Sequence, residues 1–62
     1  MNTTTASGAF RELVSALAAK YYEAGDSVGT AFSSAFVEIA DRMRAERPDL
    51  FGQTVAELLA AA

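Results

Sequence analysis

Apolar residues recur every three to four positions in two long segments of this chain, the spacing of one face of an α-helix. The first stripe comprises Phe10, Leu13, Val14, Leu17, Tyr21 and Ala24. The second stripe comprises Val28, Phe32, Ala35, Phe36, Ile39 and Met43. We expect both stripes to be core faces. Because a hairpin of two such helices covers only part of this surface, the pattern predicts packing against a second copy or a partner protein.

The residues between the stripes are typical of a tight turn between helices. Gly25 offers the left-handed conformation that often ends a helix, and Asp26 or Ser27 caps the helix that follows. We therefore predict a first helix over residues 8–24, preceded by a flexible arm over residues 1–7. A connection this short makes the two helices pack antiparallel.

A second helix is predicted over residues 27–46, and Pro48 stops it because the residue before a proline disfavours helical angles. Glu38 and Arg42 are four positions apart and support its flank. Small side chains in its first half let a neighbouring backbone approach, for packing within the fold or, alternatively, for a ligand or partner helix. These small residues are Gly29, Thr30, Ala31, Ser33 and Ser34.

A third, shorter helix is predicted over residues 50–61. Thr54 and Glu57 have the spacing of a capping box, which offers Thr54 as an alternative start. Residues 8–62 then form one all-α domain, a hairpin plus a third helix that either closes the bundle or docks on a partner. The apolar side of this helix comprises Phe51, Val55, Leu58 and Leu59.

Composition restricts the chemistry and favours association. The 62 residues contain neither cysteine nor histidine, which removes disulfides, thiolate nucleophiles and the usual zinc ligands. The carboxylates are spread over solvated helix faces, so we expect neither enzymatic activity nor a metal site. A chain of this size builds only a small core, and oligomerisation or partner binding is the expected source of further burial.

Charge and hydropathy argue against nucleic-acid and membrane partners. The net charge is −3, and Arg42, Arg44 and Arg47 alternate with acidic residues, so little positive field is left for phosphates. The longest uncharged stretch in the helical region, residues 27–37, is too short for a membrane span of roughly 20 residues. Without a basic segment and apolar run at the N-terminus, the expected location is cytoplasmic. Fourteen alanines and four arginines to one lysine suit a GC-rich bacterial genome.

One segment resembles a known modification site. Residues 21–28, YYEAGDSV, resemble the segment around the phosphopantetheine serine of acyl and peptidyl carrier proteins, where an Asp-Ser pair and an apolar residue open the second helix. Residues 50–51, LF, and 54–58, TVAEL, resemble the end of modular polyketide and peptide synthetase carriers. The resemblance covers about residues 21–59, without the long loop that the family places before the serine. It implies phosphopantetheine on Ser27 and a docking role in a multi-enzyme assembly.

Two functions are therefore open. The leading hypothesis is a non-catalytic interaction module, a small helical oligomer or an accessory subunit of a larger complex, with protein partners and no cofactor. The alternative is a carrier element with phosphopantetheine on Ser27. The residues expected to form the core or interface are Phe10, Leu13, Leu17, Tyr21, Val28, Phe32, Phe36, Ile39, Met43, Phe51, Val55, Leu58 and Leu59.

Overall fold

Three α-helices account for most of the chain in the computed structural model, which describes residues 5–62. They are α1 (Ala6–Glu23), α2 (Val28–Glu46) and α3 (Pro48–Ala61). Each helix packs on both of the others. The predicted all-α fold, a hairpin with a third helix, is confirmed. Among the described residues, no helix combines the length and apolarity needed to cross a membrane.

Helix α1 begins two residues earlier than predicted. The hydroxyl oxygen of Thr5 accepts a hydrogen bond from the backbone N–H of Gly8 at 3.0 Å. This bond caps the helix, so Ala6 and Ser7 belong to α1 and not to the predicted arm. The remainder of that arm, residues 1–4, lies outside the described residues.

The turn between α1 and α2 has the geometry that its residues predict. Gly25 has a φ of +114°, which a residue with a Cβ adopts only with strain. Its N–H donates to the Tyr22 carbonyl at 3.1 Å, which satisfies one carbonyl at the end of α1. Ser27 then caps α2, because its hydroxyl oxygen accepts from the Thr30 N–H at 3.3 Å.

The core between α1 and α2 is a seam of residues four positions apart. Three of its six members are alanines, so the two backbones approach closely and larger side chains are displaced to either side. The expectation that both whole stripes are core is therefore wrong for Leu13, Val28, Phe32 and Phe36, which are exposed. It is also wrong for Ala24, which is exposed because it lies just after the end of α1. The seam comprises Phe10, Val14 and Ala18 of α1 and Ala31, Ala35 and Ile39 of α2.

Helix α3 lies against the end of the hairpin where α1 starts and α2 finishes. The hydroxyl of Thr54 is buried and donates to the Met43 sulfur at 3.6 Å. Three residues further along α3, a carboxylate oxygen of Glu57 accepts from the Ser7 N–H at 2.8 Å, at the start of α1. Helix α3 therefore closes one end of the hairpin, which was one of the two roles predicted for it.

The capping box predicted at Thr54 and Glu57 is not formed. Helix α3 starts at Pro48, directly after Arg47, because proline lacks only an N–H that the first turn leaves unbonded anyway. Asp49 occupies the first turn and pairs with Arg47 at 3.0 Å. Thr54 and Glu57 instead face the hairpin, where they contact α2 and α1.

Candidate interaction surface

A continuous apolar surface runs along one side of the hairpin. We call it the aromatic face. It presents large side chains from α2 beside small ones from α1, with one tyrosine at the turn end. Its members are Tyr22, Val28, Phe32 and Phe36, with Ser15 and Ala19 between them.

Phe32 occupies the middle of the aromatic face. It lines a groove of about 350 Å³ on one side, together with Phe10, Phe36 and Leu58. On the other side it lines a second groove of about 270 Å³, whose α1 wall is made of small side chains. Phe32 nevertheless remains 47% exposed. This side chain is therefore a ridge between two hollows, and about half of it is left uncovered by the described residues.

Phe36 holds one end of the aromatic face in place. Its ring meets the ring of Phe10 edge to face, with centroids 5.1 Å apart and an interplanar angle of 89°. Such a pair contributes about 0.5–1.5 kcal/mol beyond the area that it buries. The contact orients Phe36 although half of its side chain is exposed. This part of the surface is preformed.

The aromatic face is uncovered because α3 is short and lies at one end of the hairpin. Its Leu58 reaches the border of the first groove, and the helix ends at Ala61. No residue of α3 lines the second groove, which extends towards the turn. The part of the aromatic face near the turn is therefore not covered by α3.

The opposite side of the hairpin has a different character. Leu13 lies there beside Ile39, Met43 and Leu50, in a groove of about 230 Å³. The same groove is also lined by three charged side chains, those of Arg42, Glu46 and Arg47. Polar groups of this kind are typical of solvated surface. Among the described residues, the two grooves of the aromatic face contain one charged side chain, that of Arg11. The aromatic face is therefore the more apolar of the two sides.

The arginines near the end of α2 each lie beside an acid. Arg42 approaches Glu38 at 4.0 Å, and Arg44 approaches Asp41 at 3.6 Å, both pairs being exposed. Exposed pairs of this kind contribute about 0–1 kcal/mol. Their geometry agrees with the predicted alternation of charge along this helix.

A second link between α1 and α2 lies away from the aromatic face. The hydroxyl of Tyr21 donates a hydrogen bond to a carboxylate oxygen of Glu38. This bond, with a smaller contribution from burial, raises the pKa of Tyr21 above its ordinary value. The neighbouring Tyr22 takes part in the aromatic face instead. The two adjacent tyrosines therefore have separate roles.

Ser27 is exposed at the start of α2, where the resemblance to carrier proteins implies an attachment point. Its hydroxyl oxygen accepts from the Thr30 N–H and its proton is directed to the Thr30 hydroxyl at 3.0 Å. Only Ala24, Gly25 and Asp26 separate α1 from this residue. The geometry is that of a helix cap in a tight turn.

Comparison with protein-family models, with curated proteins and with solved structures finds no match for this chain. The carrier resemblance therefore depends on the quoted residues alone.

The predicted core and interface residues divide into three groups by exposure. Phe10 and Ile39 are buried. The half-buried ones are Leu17, Tyr21, Met43, Phe51 and Leu58. The exposed ones are Leu13, Val28, Phe32, Phe36, Val55 and Leu59.

Of the small residues predicted to let a neighbouring backbone approach α2, Ala31 is buried, whereas Gly29, Thr30, Ser33 and Ser34 are exposed. Ala18, Ala31 and Ala35 are almost completely buried, as is the hydroxyl-bearing Thr54. The four-residue spacing between Ala31, Ala35 and Ile39 was the available sign of a close-packed ridge. A search for large apolar side chains does not detect it.

Proposed function

We propose that this chain is a non-catalytic assembly module of the cytoplasm that acts by packing its aromatic face against another protein surface. The observation that carries the proposal is Phe32, a half-exposed phenylalanine between two apolar grooves. Single exposed apolar residues are ordinary on protein surfaces, whereas the largest contiguous apolar patch of a protein, about 300–600 Å² on a typical monomer, is often functional. Tyr22, Val28 and Phe36 make the exposure contiguous.

The energetics of the fold support the proposal. Among the described residues, the six buried apolar ones include three alanines, and Phe10 is the one aromatic side chain in this core. Fully burying a phenylalanine is worth about 1.5–3 kcal/mol, so covering the exposed half of Phe32 and of Phe36 contributes roughly 1 kcal/mol each. For a domain whose own core contributes only about 3–5 kcal/mol, this gain is large.

Site-specific photo-crosslinking in the native cell tests the proposal. A benzophenone amino acid replaces Tyr22, an exposed aromatic residue on the border of the aromatic face. We expect irradiation to link the chain to a protein, seen as a heavier band by immunoblot. The matched control carries the same group at Glu12, an exposed position of α1 outside both grooves. Absence of any adduct at position 22, with the fold intact by circular dichroism, contradicts the proposal.

The second candidate function is a carrier element, favoured by the exposure of Ser27 directly after Asp26. Its test is the intact mass of the chain after incubation with coenzyme A and a promiscuous phosphopantetheinyl transferase. A mass increase of one phosphopantetheine that is lost in Ser27→Ala supports it. An unchanged mass on a folded sample contradicts it.

A further inference from the structure

We infer that the occupant of the aromatic face is a second copy of this chain, packed about a two-fold axis parallel to the helices so that α1 of each copy covers α2 of the other. The inference rests on the proposed function and adds the identity of the partner. Two hairpins paired in this way form a four-helix bundle with antiparallel neighbours.

Shape is the first argument. In the middle of the aromatic face, the large side chain of Phe32 stands on α2 and the small ones of Ser15 and Ala19 stand on α1, whereas Tyr22 of α1 lies beside Val28 of α2 at the turn end. A two-fold axis parallel to the helices places α1 of one copy opposite α2 of the other. Each residue keeps its height along the helix axes. The ridge of one copy then lies opposite the hollow of the other, twice. A closed two-fold dimer requires this kind of self-complementary patch.

The heights of these residues along the helix axes agree with this pairing. Phe32 and Ser15 line both grooves, and Ala19 lines the second, so these three residues lie side by side along the hairpin. In the partner copy, the hollow between Ser15 and Ala19 is therefore directly opposite Phe32. Packing of a large side chain into a hollow between small ones is the usual way in which helices interlock.

Area and charge are the second argument. At about 150–250 Å² per aromatic side chain, the half-exposed Tyr22, Phe32 and Phe36 present roughly 300 Å². A standard interface needs about 800 Å² per partner, under a fifth of the 4521 Å² of this chain. The exposed Val28, Ser15 and Ala19 add to this area, so we expect an interface at the small end of the range.

Charge does not oppose the pairing, although the chain carries a net charge of −3. The two grooves of the aromatic face contain Arg11 and no acidic side chain. Two copies of the face therefore meet without repulsion between like acids, and each copy brings one arginine, Arg11, to the first groove. A strongly charged partner surface finds no complement on this face.

Sedimentation equilibrium of the purified chain tests the inference. We expect a mass of about twice the 6.5 kDa of one chain. Phe32→Asp places a charge at the centre of each pairing and weakens the dimer by more than about 100-fold. The matched control is Leu13→Asp, since Leu13 is exposed to 51% against 47% for Phe32 but lies on the opposite side of α1. We expect this control to remain dimeric.

A pair of complementary variants tests the ridge-and-hollow arrangement. Phe32→Ala removes the ridge, and Ala19→Phe fills the hollow, so each variant alone dimerises poorly. When the two variants are mixed, each mixed dimer contains one native pairing of Phe32 with Ala19. It also contains one exchanged pairing, in which the alanine at position 32 faces the phenylalanine at position 19. We expect native mass spectrometry to show the mixed dimer in excess over both homodimers, at equal helicity by circular dichroism.

Three results would overturn the inference. They are a monomeric parent at millimolar concentration, loss of the dimer in Leu13→Asp but not in Phe32→Asp, and absence of the mixed dimer. A monomeric parent whose position 22 still crosslinks to a different protein rejects the second copy and leaves the proposed function standing. A monomer without any adduct rejects both.

Discussion

Two residues of the turn decide where α1 ends and α2 begins. Gly25 reverses the chain through a positive φ, and the Ser27 hydroxyl oxygen accepts a hydrogen bond from the Thr30 N–H in the first turn of α2. Neither residue takes part in the hydrophobic core. Their contributions are local, so substitutions at these positions test backbone energetics separately from packing.

Gly25→Ala should destabilise the chain by about 1–2 kcal/mol, because a Cβ is disfavoured at its φ of +114°. Gly52→Ala is the control, since this glycine lies inside α3 and an added Cβ meets nothing within 4 Å. There we expect stabilisation by about 0.5–1 kcal/mol. Urea unfolding of both variants at one protein concentration measures the two effects. Equal shifts in the same direction would contradict this account of the turn.

Ser27→Ala should destabilise the chain by about 1 kcal/mol, because the Thr30 N–H loses its acceptor. Ser27→Asp keeps an acceptor at the cap and adds a negative charge at the positive end of the helix dipole. We expect it to retain the parent stability. At about 4–8 °C per kcal/mol for a chain of this size, thermal melts followed by circular dichroism resolve the difference. A cap role is wrong if the two variants melt together.

At the scale of the helices, alanines and polar links determine how the three elements meet. Ala31 and Ala35 let α2 lie close to α1. Outside that seam, one hydrogen bond joins Tyr21 to Glu38 and another joins Glu57 to the start of α1. Because both links involve titratable groups, we expect the packing of the helices to depend on pH, in acid for Glu57 and in base for Tyr21.

The link between α3 and α1 should weaken in acid. Hydrogen bonds from Ser7, and a further one from Gln53, hold the pKa of Glu57 below its ordinary value. A lowered pKa in the folded state adds stability above the unfolded pKa, and that stability is lost as the pH falls below about 4.5. Glu57→Gln should remove this part of the acid-induced loss.

Urea unfolding at pH 7 and at pH 3 measures the effect, with Glu12→Gln as the control carboxylate on α1. Part of the acid loss remains in Glu57→Gln, because Arg47 also lowers the pKa of Asp49. If Glu57→Gln and Glu12→Gln lose equal stability between the two pH values, the link does not contribute.

The link between α1 and α2 should weaken in base. The hydrogen bond to Glu38 raises the pKa of Tyr21, so the folded state favours the protonated phenol. Stability from this bond is complete below the unfolded pKa of about 10.0 and is lost as the pH rises through the folded value. Tyr21→Phe should lack this alkaline loss, whereas Tyr22→Phe should retain it. Unfolding curves at pH 9 and pH 11 compare the two adjacent variants.

At the scale of the whole molecule, the third helix leaves an unequal surface. It closes one end of the hairpin through Thr54 and Glu57, and the aromatic face remains open along one side. A surface of this kind gains stability from association, and that gain depends on concentration.

The melting temperature should therefore rise with protein concentration. A 100-fold increase stabilises a dimer by about 2.7 kcal/mol, or about 1.4 kcal/mol per chain, which corresponds to roughly 5–11 °C at about 4–8 °C per kcal/mol. Phe32→Asp should melt at a temperature that is independent of concentration. Differential scanning calorimetry at ~10 μM and ~1 mM makes the comparison. A parent whose melting point is the same at both concentrations would contradict self-association.

Much of the local structure could be predicted from the residues themselves. The turn at Gly25, the cap at Ser27 and the end of α2 at Glu46 all follow from short-range steric and hydrogen-bonding rules, and the structure confirms them. The start of α3 was placed two residues late because Pro48 was interpreted as a stop for α2 and not also as a first helical residue.

The candidate surface could be predicted only in part. The stripes identified Phe32 and Phe36 as apolar and helical, but periodicity gives the same weight to every apolar position on one side of a helix. Which of them are covered depends on how closely two helices approach. The alanines at 31 and 35 determine that distance, and they place both phenylalanines outside the seam.

The sequence by itself determined the number and type of the helices, the turn between α1 and α2 and the end of α2, because caps, turns and helical periodicity depend on neighbours within a few residues. Only the tertiary structure decided which apolar side chains are buried, where α3 lies, and that Glu57 bonds to Ser7 fifty residues away. These outcomes depend on the distance between helices that are remote in the chain. Phe32, predicted as core and found half exposed, shows the difference at a single residue.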